Sequence, residues 1–386
     1  MMAAVADMLT KLIAFDTVSS RSNLGLIHFI RDLLAERGIA VRVMAAPDGQ
    51  PKANLWATIG PDKPGGIVLS GHTDVVPVEG QPWSSDPFTL RDGGDRFFGR
   101  GTCDMKGFIA LCLALLPEMQ KQPLTTPIHF AFSYDEELGC LGAPHLVEEI
   151  GKQLPAPRIA IIGEPTEMRL GTRHKGCYGF VTKVTGKDGH SSQTHRGVNA
   201  IAAATEIAAK LLQIGEELRV SGPHDHSFDP PYCTLNLGSI HGGTAVNIIA
   251  RECALEWDFR PVPGGTVEMA LQPLQHFIAG DLLPRLKARA AEADVTTTED
   301  CGVPPLIEER EGAAEALVKL LTGANNTYGM AFATEAGQFQ QAGLSAIVCG
   351  PGSISQAHKP DEFILKSELA AGEDFLRKLI DWARVN

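Results

Sequence analysis

Hydrophobic positions along the chain fall into two rhythms, and the change from one to the other divides the sequence. From residue 40 to 164 short apolar runs alternate with helical stretches: strands are predicted at 41–45, 54–59, 66–70, 128–134 and 158–162, with helices after Met105 and after Gly142. Gly66-Ile-Val-Leu-Ser70 and Ile159-Ala-Ile-Ile162 are apolar without alternation, the pattern of strands covered on both faces. This arrangement predicts an α/β domain built on a mixed, largely parallel sheet.

Between about 179 and 298 the order changes to strand 180–185, helix 196–218, strands 232–241 and 246–259, helix 266–291 and strand 295–298. That βαββαβ order is the signature of a ferredoxin-like α+β unit. A helix at 312–322, an apolar strand at 345–349 and a closing helix at 367–384 then resume the first rhythm. The expected organisation is a discontinuous α/β domain, 1–178 and 299–386, interrupted by an inserted domain, 179–298.

Composition narrows the function classes. At 386 residues the chain exceeds the length at which one core usually keeps growing, in keeping with two domains. Lys and Arg number 34 against 46 Asp and Glu, a net charge of -12 with no basic run, which argues against nucleic acid or a membrane surface as partner. The apolar patch near the start is interrupted by Asp7, Lys11 and Asp16, so an amphipathic helix is expected there rather than a signal peptide. The eight cysteines stand singly with no CxxC pair, the usage of reduced packing residues in a cytoplasmic protein, and no structural zinc ribbon is expected.

Candidate chemistry gathers at the carboxyl ends of the predicted strands, where open α/β sheets bind ligands. The strand at 66–70 runs into Gly71-His72-Thr73-Asp74, that at 128–134 into Asp135-Glu136-Glu137, and that at 158–162 into Gly163-Glu164-Pro165-Thr166. Asp104 stands at a predicted helix start and His358 follows the last strand. Taken singly, each reads equally well as a turn residue, a helix-dipole partner or polar surface. Together, two imidazoles and three carboxylates (His72, Asp104, Glu137, Glu164 and His358) suit a pair of zinc-like ions bridged by one carboxylate. Asp74, two residues from His72, can accept its ring N–H, and Glu136, beside a ligand, is free to take a proton from an attacking water.

Gly71-His-Thr-Asp-Val-Val-Pro77, Gly99-Arg-Gly-Thr-Cys-Asp-Met-Lys-Gly107, Asp135-Glu-Glu137, Gly163-Glu-Pro-Thr166 and His358 resemble the acetylornithine deacetylase and succinyl-diaminopimelate desuccinylase family of dinuclear zinc amidohydrolases, over essentially the whole chain. The runs 132–142 and 350–362 are most similar to its deacetylase subgroup, as is Phe108, where a second Gly often follows Asp-Met-Lys-Gly. The resemblance implies Asp104 as the bridge, His72 and Glu164 on one ion, Glu137 and His358 on the other, and a cis bond from Asp104 to Met105. It implies Glu136 as general base, Asp74 as the residue orienting His72, and His190 as a group that reaches a neighbouring subunit's site and polarises the scissile carbonyl. Asn247 and Arg260 resemble positions that grip the substrate carboxylate. The implied activity is hydrolysis of N2-acetylornithine to ornithine and acetate, a step of arginine biosynthesis, with two Zn²⁺ that Co²⁺ can replace and a homodimer formed through the inserted dimerisation or lid domain. The alternatives are another N-acyl amino acid amidohydrolase, such as a desuccinylase, or a metal-free binding homologue.

Overall fold

Unbroken apolar runs become strands where both faces are covered. In the computed structural model, which describes residues 2–386, Ile67–His72, Ile128–Ser133 and Ile159–Ile162 are buried at every position. With Ser345–Val348 they form the parallel centre of an eight-stranded sheet, in the spatial order Ile128–Ser133, Ile67–His72, Ile159–Ile162, Ser345–Val348. Ala53–Ile59 and Val41–Ala45 add antiparallel strands on one side, and Leu170–His174 pairs antiparallel on the other with Thr327–Met330 beyond it. The sheet is therefore mixed, with a parallel core.

Helix Lys106–Ala114 is buried from Lys106 through Leu113, as befits a helix apolar on all sides, and packs against Met2–Ile13 and Lys366–Val385. The closing helix buries Leu369, Gly372, Phe375, Leu376, Leu379, Ile380 and Ala383, a stripe at three- and four-residue spacing.

The chain divides into two compact units: the residues up to Arg173 with Leu306–Gly329 and Thr334–Asn386, and His174–Pro305 with Met330–Ala333. The junctions lie a few residues outside the expected 178/179 and 298/299. Strands Cys177–Thr185 and Asp294–Val303 extend beyond their apolar centres and stay paired as far as Cys177 and Val303. In the second unit an antiparallel sheet has the order Thr234–Gly242, Glu252–Arg260, Cys177–Thr185, Asp294–Val303, with helices Ala200–Ser221 and Glu268–Phe277 in its core. Glu252–Arg260 buries Cys253, Leu255, Trp257 and Phe259 alternately, the period-two pattern of a half-buried strand.

Two expectations are corrected, and two strands were not expected. The strand expected from 246 starts at Glu252: Gly243, at φ 76°, turns the chain, and Val246 is fully exposed. The helix expected over 266–291 is a continuous helical run from Glu268 to Lys287, with a π-turn at Ile278–Leu282 just before Pro284, which has no N–H to give to an α-helical ladder. Strands Leu170–His174 and Thr327–Met330 carry Gly and polar residues rather than an apolar run, and they complete one side of the large sheet unannounced.

Candidate metal centre

Four parallel strands point their carboxyl ends at one edge of the sheet. His72 closes Ile67–His72, Glu136 and Glu137 follow Ile128–Ser133, Glu164 follows Ile159–Ile162, and His358 lies beyond Ser345–Val348. Asp104 stands two residues before helix Lys106–Ala114, and its peptide bond to Met105 is cis. Gly163 lets Phe108 close on the strand end that delivers Glu164: a Cβ at 163 would lie 2.2 Å from that ring.

Asp104 presents its two oxygens to two different imidazoles. Oδ1 lies 3.0 Å from Nε2 of His72, and Oδ2 lies 3.4 Å from Nε2 of His358. The His72 ring also faces Oε1 of Glu164 at 3.9 Å, and His358 faces Oε2 of Glu137 at 3.0 Å. One ligand atom each from His72, Glu136 and Glu164 lie mutually within 4.8 Å, as do those of His72, Asp104 and Glu137. All five residues of the expected ligand set thus come together, and Glu136 joins them.

The electrostatics describe a site short of positive charge. Burial alone would raise the Asp104 carboxyl, but hydrogen bonds with His358 and His72 hold it well below the ordinary carboxylate range. Burial, with the neighbouring Asp104 charge, pushes Glu137 up to about 7 and Glu164 well above its usual value. Burial likewise raises Glu136. Hydrogen bonds to Asp104 and Glu137 lift His358 to about 10, and His72 is raised by Asp104 and Asp74 against the opposing effect of its burial. Four clustered carboxylates exceed what two imidazoles neutralise, so some must keep protons unless a cation is shared among them. Oε1 of Glu137 and Oε1 of Glu164 are buried without a hydrogen-bond partner among the described residues. Unpartnered carboxylate oxygens beside hydrogen-bonded imidazoles fit divalent metal ions.

Asp74 does more than orient a ring. His72 Nδ1 is nearest the backbone carbonyl of Asp74, at 3.0 Å, with the carboxylate Oδ1 at 3.6 Å, so the ring N–H that was expected to bond the side chain is shared with the main chain. The Asp74 carboxylate instead accepts the backbone N–H groups of Glu136 and Glu137 at 3.1 and 3.3 Å and the Ser19 hydroxyl at 2.7 Å. Lys52 pairs with Asp135, the residue at φ 52° that starts this turn, and the Cys140 thiol donates to Oε1 of Glu136 at 3.3 Å. Ser19 and Lys52 drew no notice in the sequence, and Cys140, inside the run 132–142, reads there only as one of eight packing cysteines. Glu335, fully buried at the start of helix Ala336–Gln341, accepts the Ser70 hydroxyl at 3.0 Å and was also missed; an acid amid apolar neighbours was its only signal.

The remaining expected residues belong to the second unit. His190 is exposed, caps the turn Ser191–Arg196 by accepting the Ser192 N–H, and lies beside Asn247, whose carbonyl accepts the Ser191 N–H at 3.0 Å. Arg260 ends strand Glu252–Arg260 and donates to Asp258. His190 and Asn247 lie off the start of that strand and Arg260 at its finish, a separation on the order of 25 Å for nine extended residues.

Residues 68–382 match the family described as Peptidase family M20/M25/M40. The chain belongs to this peptidase family. An acetylornithine deacetylase from Pasteurella multocida is 35% identical over 380 residues, covering 97% of this chain and 96% of the relative. An M20 family metallo-carboxypeptidase from Sulfolobus solfataricus superposes with a TM-score of 0.75 at 15% identity, covering 99% of both chains. A dinuclear metal binding peptidase of the M20 family from Bacillus subtilis superposes with a TM-score of 0.61 at 15% identity, covering 99% of this chain and 98% of that one. As an M20 chain the protein is an enzyme acting on amides. No helix among the described residues is long and apolar enough to cross a membrane.

Proposed function

We propose that the protein hydrolyses the acetyl amide of N2-acetyl-L-ornithine, releasing L-ornithine and acetate in arginine biosynthesis, with two zinc ions held by His72, Asp104, Glu137, Glu164 and His358. The observation that carries the chemistry is the pair of Asp104 oxygens directed at two imidazoles, flanked by unpartnered oxygens of Glu137 and Glu164. The substrate is supported by 35% identity, over nearly the full length, to a relative called acetylornithine deacetylase.

When bound, the ions supply Lewis acidity toward the amide carbonyl and lower the pKa of the attacking water. Glu136 accepts a proton from that water; its oxygen forms the new bond to the acetyl carbon, the C–N bond breaks, and Glu136 returns the proton to the leaving amine. Burial raises the Glu136 carboxyl, the direction expected of a group that both takes and gives a proton. Asp74 fixes Glu136 and Glu137 by their backbone N–H groups while its main chain holds the His72 ring.

The inserted unit serves as a dimerisation domain in this reading, with His190 acting on the site of a second copy and Asn247 and Arg260 gripping the substrate carboxylate. Support comes from within the unit: these residues stand at opposite ends of one strand, so a single copy of the unit cannot close them on one small molecule. Thr234–Gly242 is also an edge strand, with a free row of backbone groups suited to a symmetric partner. The eight free cysteines accord with a cytoplasmic enzyme.

A panel of acetylated, succinylated and formylated amino acids tests the substrate. Preferred turnover of N2-acetylornithine is expected; preference for N-succinyl-diaminopimelate or for acylated neutral amino acids would reassign the chain within its family.

A further inference from the structure

Two charged side chains inside the quoted motifs remain without a role. Arg100 and Glu362 are buried to 0% and 1% exposure, and Nη1 of Arg100 donates to Oε2 of Glu362 at 2.7 Å. The pair carries no reacting atom, yet each end grips a segment that bears a ligand. Oε1 of Glu362 accepts the backbone N–H groups of Cys103 and Asp104 at 2.8 and 3.1 Å, which fixes the main chain under the bridging carboxylate. Nη2 of Arg100 donates to Oε1 of Gln81 at 2.6 Å, and Nε2 of Gln81 donates to the backbone carbonyl of His358 at 3.2 Å. Arg100 also reaches the carbonyl of Lys359 at 3.3 Å. An unbroken chain of hydrogen bonds therefore runs from the backbone of Asp104 through Glu362, Arg100 and Gln81 to the backbone of His358.

The two metal positions depend on this chain unequally. His72 is 1% exposed and ends a strand held by parallel neighbours on both sides, so its placement comes from the sheet. His358 lies in a loop at φ 63° with its side chain 54% exposed, and has no strand to set it. A ligand on an exposed loop loses affinity when its backbone wanders, because ordering it then falls to the binding event itself.

We propose that Arg100, Glu362 and Gln81 are positioning residues for the second metal position, holding His358 in register with Asp104, so that breaking the tie empties the Asp104, Glu137 and His358 position ahead of the His72 and Glu164 position. The proposal rests on the two-ion reading above. Glu362→Gln keeps the shape and removes the charge; Arg100→Met removes the link; Gln81→Leu, at a partly exposed position, cuts only the arm to His358 and preserves the fold should the buried variants unfold. Each protein, stripped of metal and checked for folding by circular dichroism, is titrated with zinc and with cobalt in a calorimeter, and turnover is followed against free metal.

The wild type is expected to take up two ions. The folded variants are expected to keep one tight ion, bind the second at least ten-fold more weakly, and regain turnover at excess metal; it is the unequal loss of the two ions that general destabilisation would not give. Two ions bound at wild-type affinity by folded Gln81→Leu and Glu362→Gln would overturn the inference, as would equal weakening of both positions. Fewer than two ions in the wild type would instead overturn the two-ion reading itself.

Discussion

Oδ1 of Asp74 accepts the backbone N–H of Glu136 at 3.1 Å, joining the loop after one parallel strand to the loop after its neighbour. The same carboxylate takes the N–H of Glu137 and the hydroxyl of Ser19, so the proposed base and a proposed ligand are registered against the His72 segment by one side chain. Removing it is expected to disturb chemistry and metal together. Asp74→Ala should lower kcat/KM about 10- to 100-fold, the range for outer residues of metal sites, and weaken metal binding. Ser19→Ala, which removes a single bond to that carboxylate, should cost roughly ten-fold or less. Steady-state kinetics with metal analysis on the same preparations check both; a wild-type Asp74→Ala would remove Asp74 from the account.

Adjacent glutamates are assigned opposite tasks. Glu136→Gln is expected to retain its metal and lose about 10² to 10⁴ in kcat, the range for a general acid-base group. Glu137→Gln is expected to lose metal, since its Oε2 sits 3.0 Å from His358 and its Oε1 has no other partner among the described residues. Metal content measured beside kcat separates the two, and near-normal turnover in Glu136→Gln would place the base elsewhere.

Much of the site was legible because strand ends announce themselves. His72, Glu137 and Glu164 lie at or just after short apolar runs with the pattern of buried strands, and parallel pairing puts their ends on one edge. What the sequence hides is which polar group answers which. The bond from Asp74 to Glu136 spans 62 residues and that from Arg100 to Glu362 spans 262, and neither the carbonyl on His72 Nδ1 nor the backbone N–H groups on Asp74 leave a trace in residue identity. The fold shows the same division. Helices with apolar stripes were placed within a few residues, whereas Leu170–His174 and Thr327–Met330 are strands by virtue of their neighbours and could not be read from their own composition.

The proposed sharing of sites between subunits predicts complementation. Glu136→Gln and His190→Ala chains, each expected to be inactive alone, should recover activity when mixed, because a heterodimer assembles one site with both groups intact. Mass measurement confirms that heterodimers form; their formation without activity would confine His190 to its own subunit or remove it from the chemistry.

A pH effect separate from catalysis is expected at His129. Its ring is fully buried, stacked on Trp56 at 5.0 Å, and burial lowers its pKa to about 4. The unfolded chain binds a proton below about 6.5, so folding stability falls as pH drops from about 6.5 toward 4, by up to about 3 kcal/mol from this one group. His129→Gln does not titrate and should flatten that limb in urea unfolding followed from pH 7 to 4; an unchanged acid limb would mean the ring keeps its ordinary affinity for protons.

Whether two shared ions carry out the proposed amide hydrolysis is decided by stripping the protein with a chelator and adding zinc back in measured equivalents while N2-acetylornithine hydrolysis is followed. No turnover is expected without metal, followed by a rise that reaches its plateau at two equivalents per chain. Full turnover in a sample shown to hold no metal would contradict the two-ion reading.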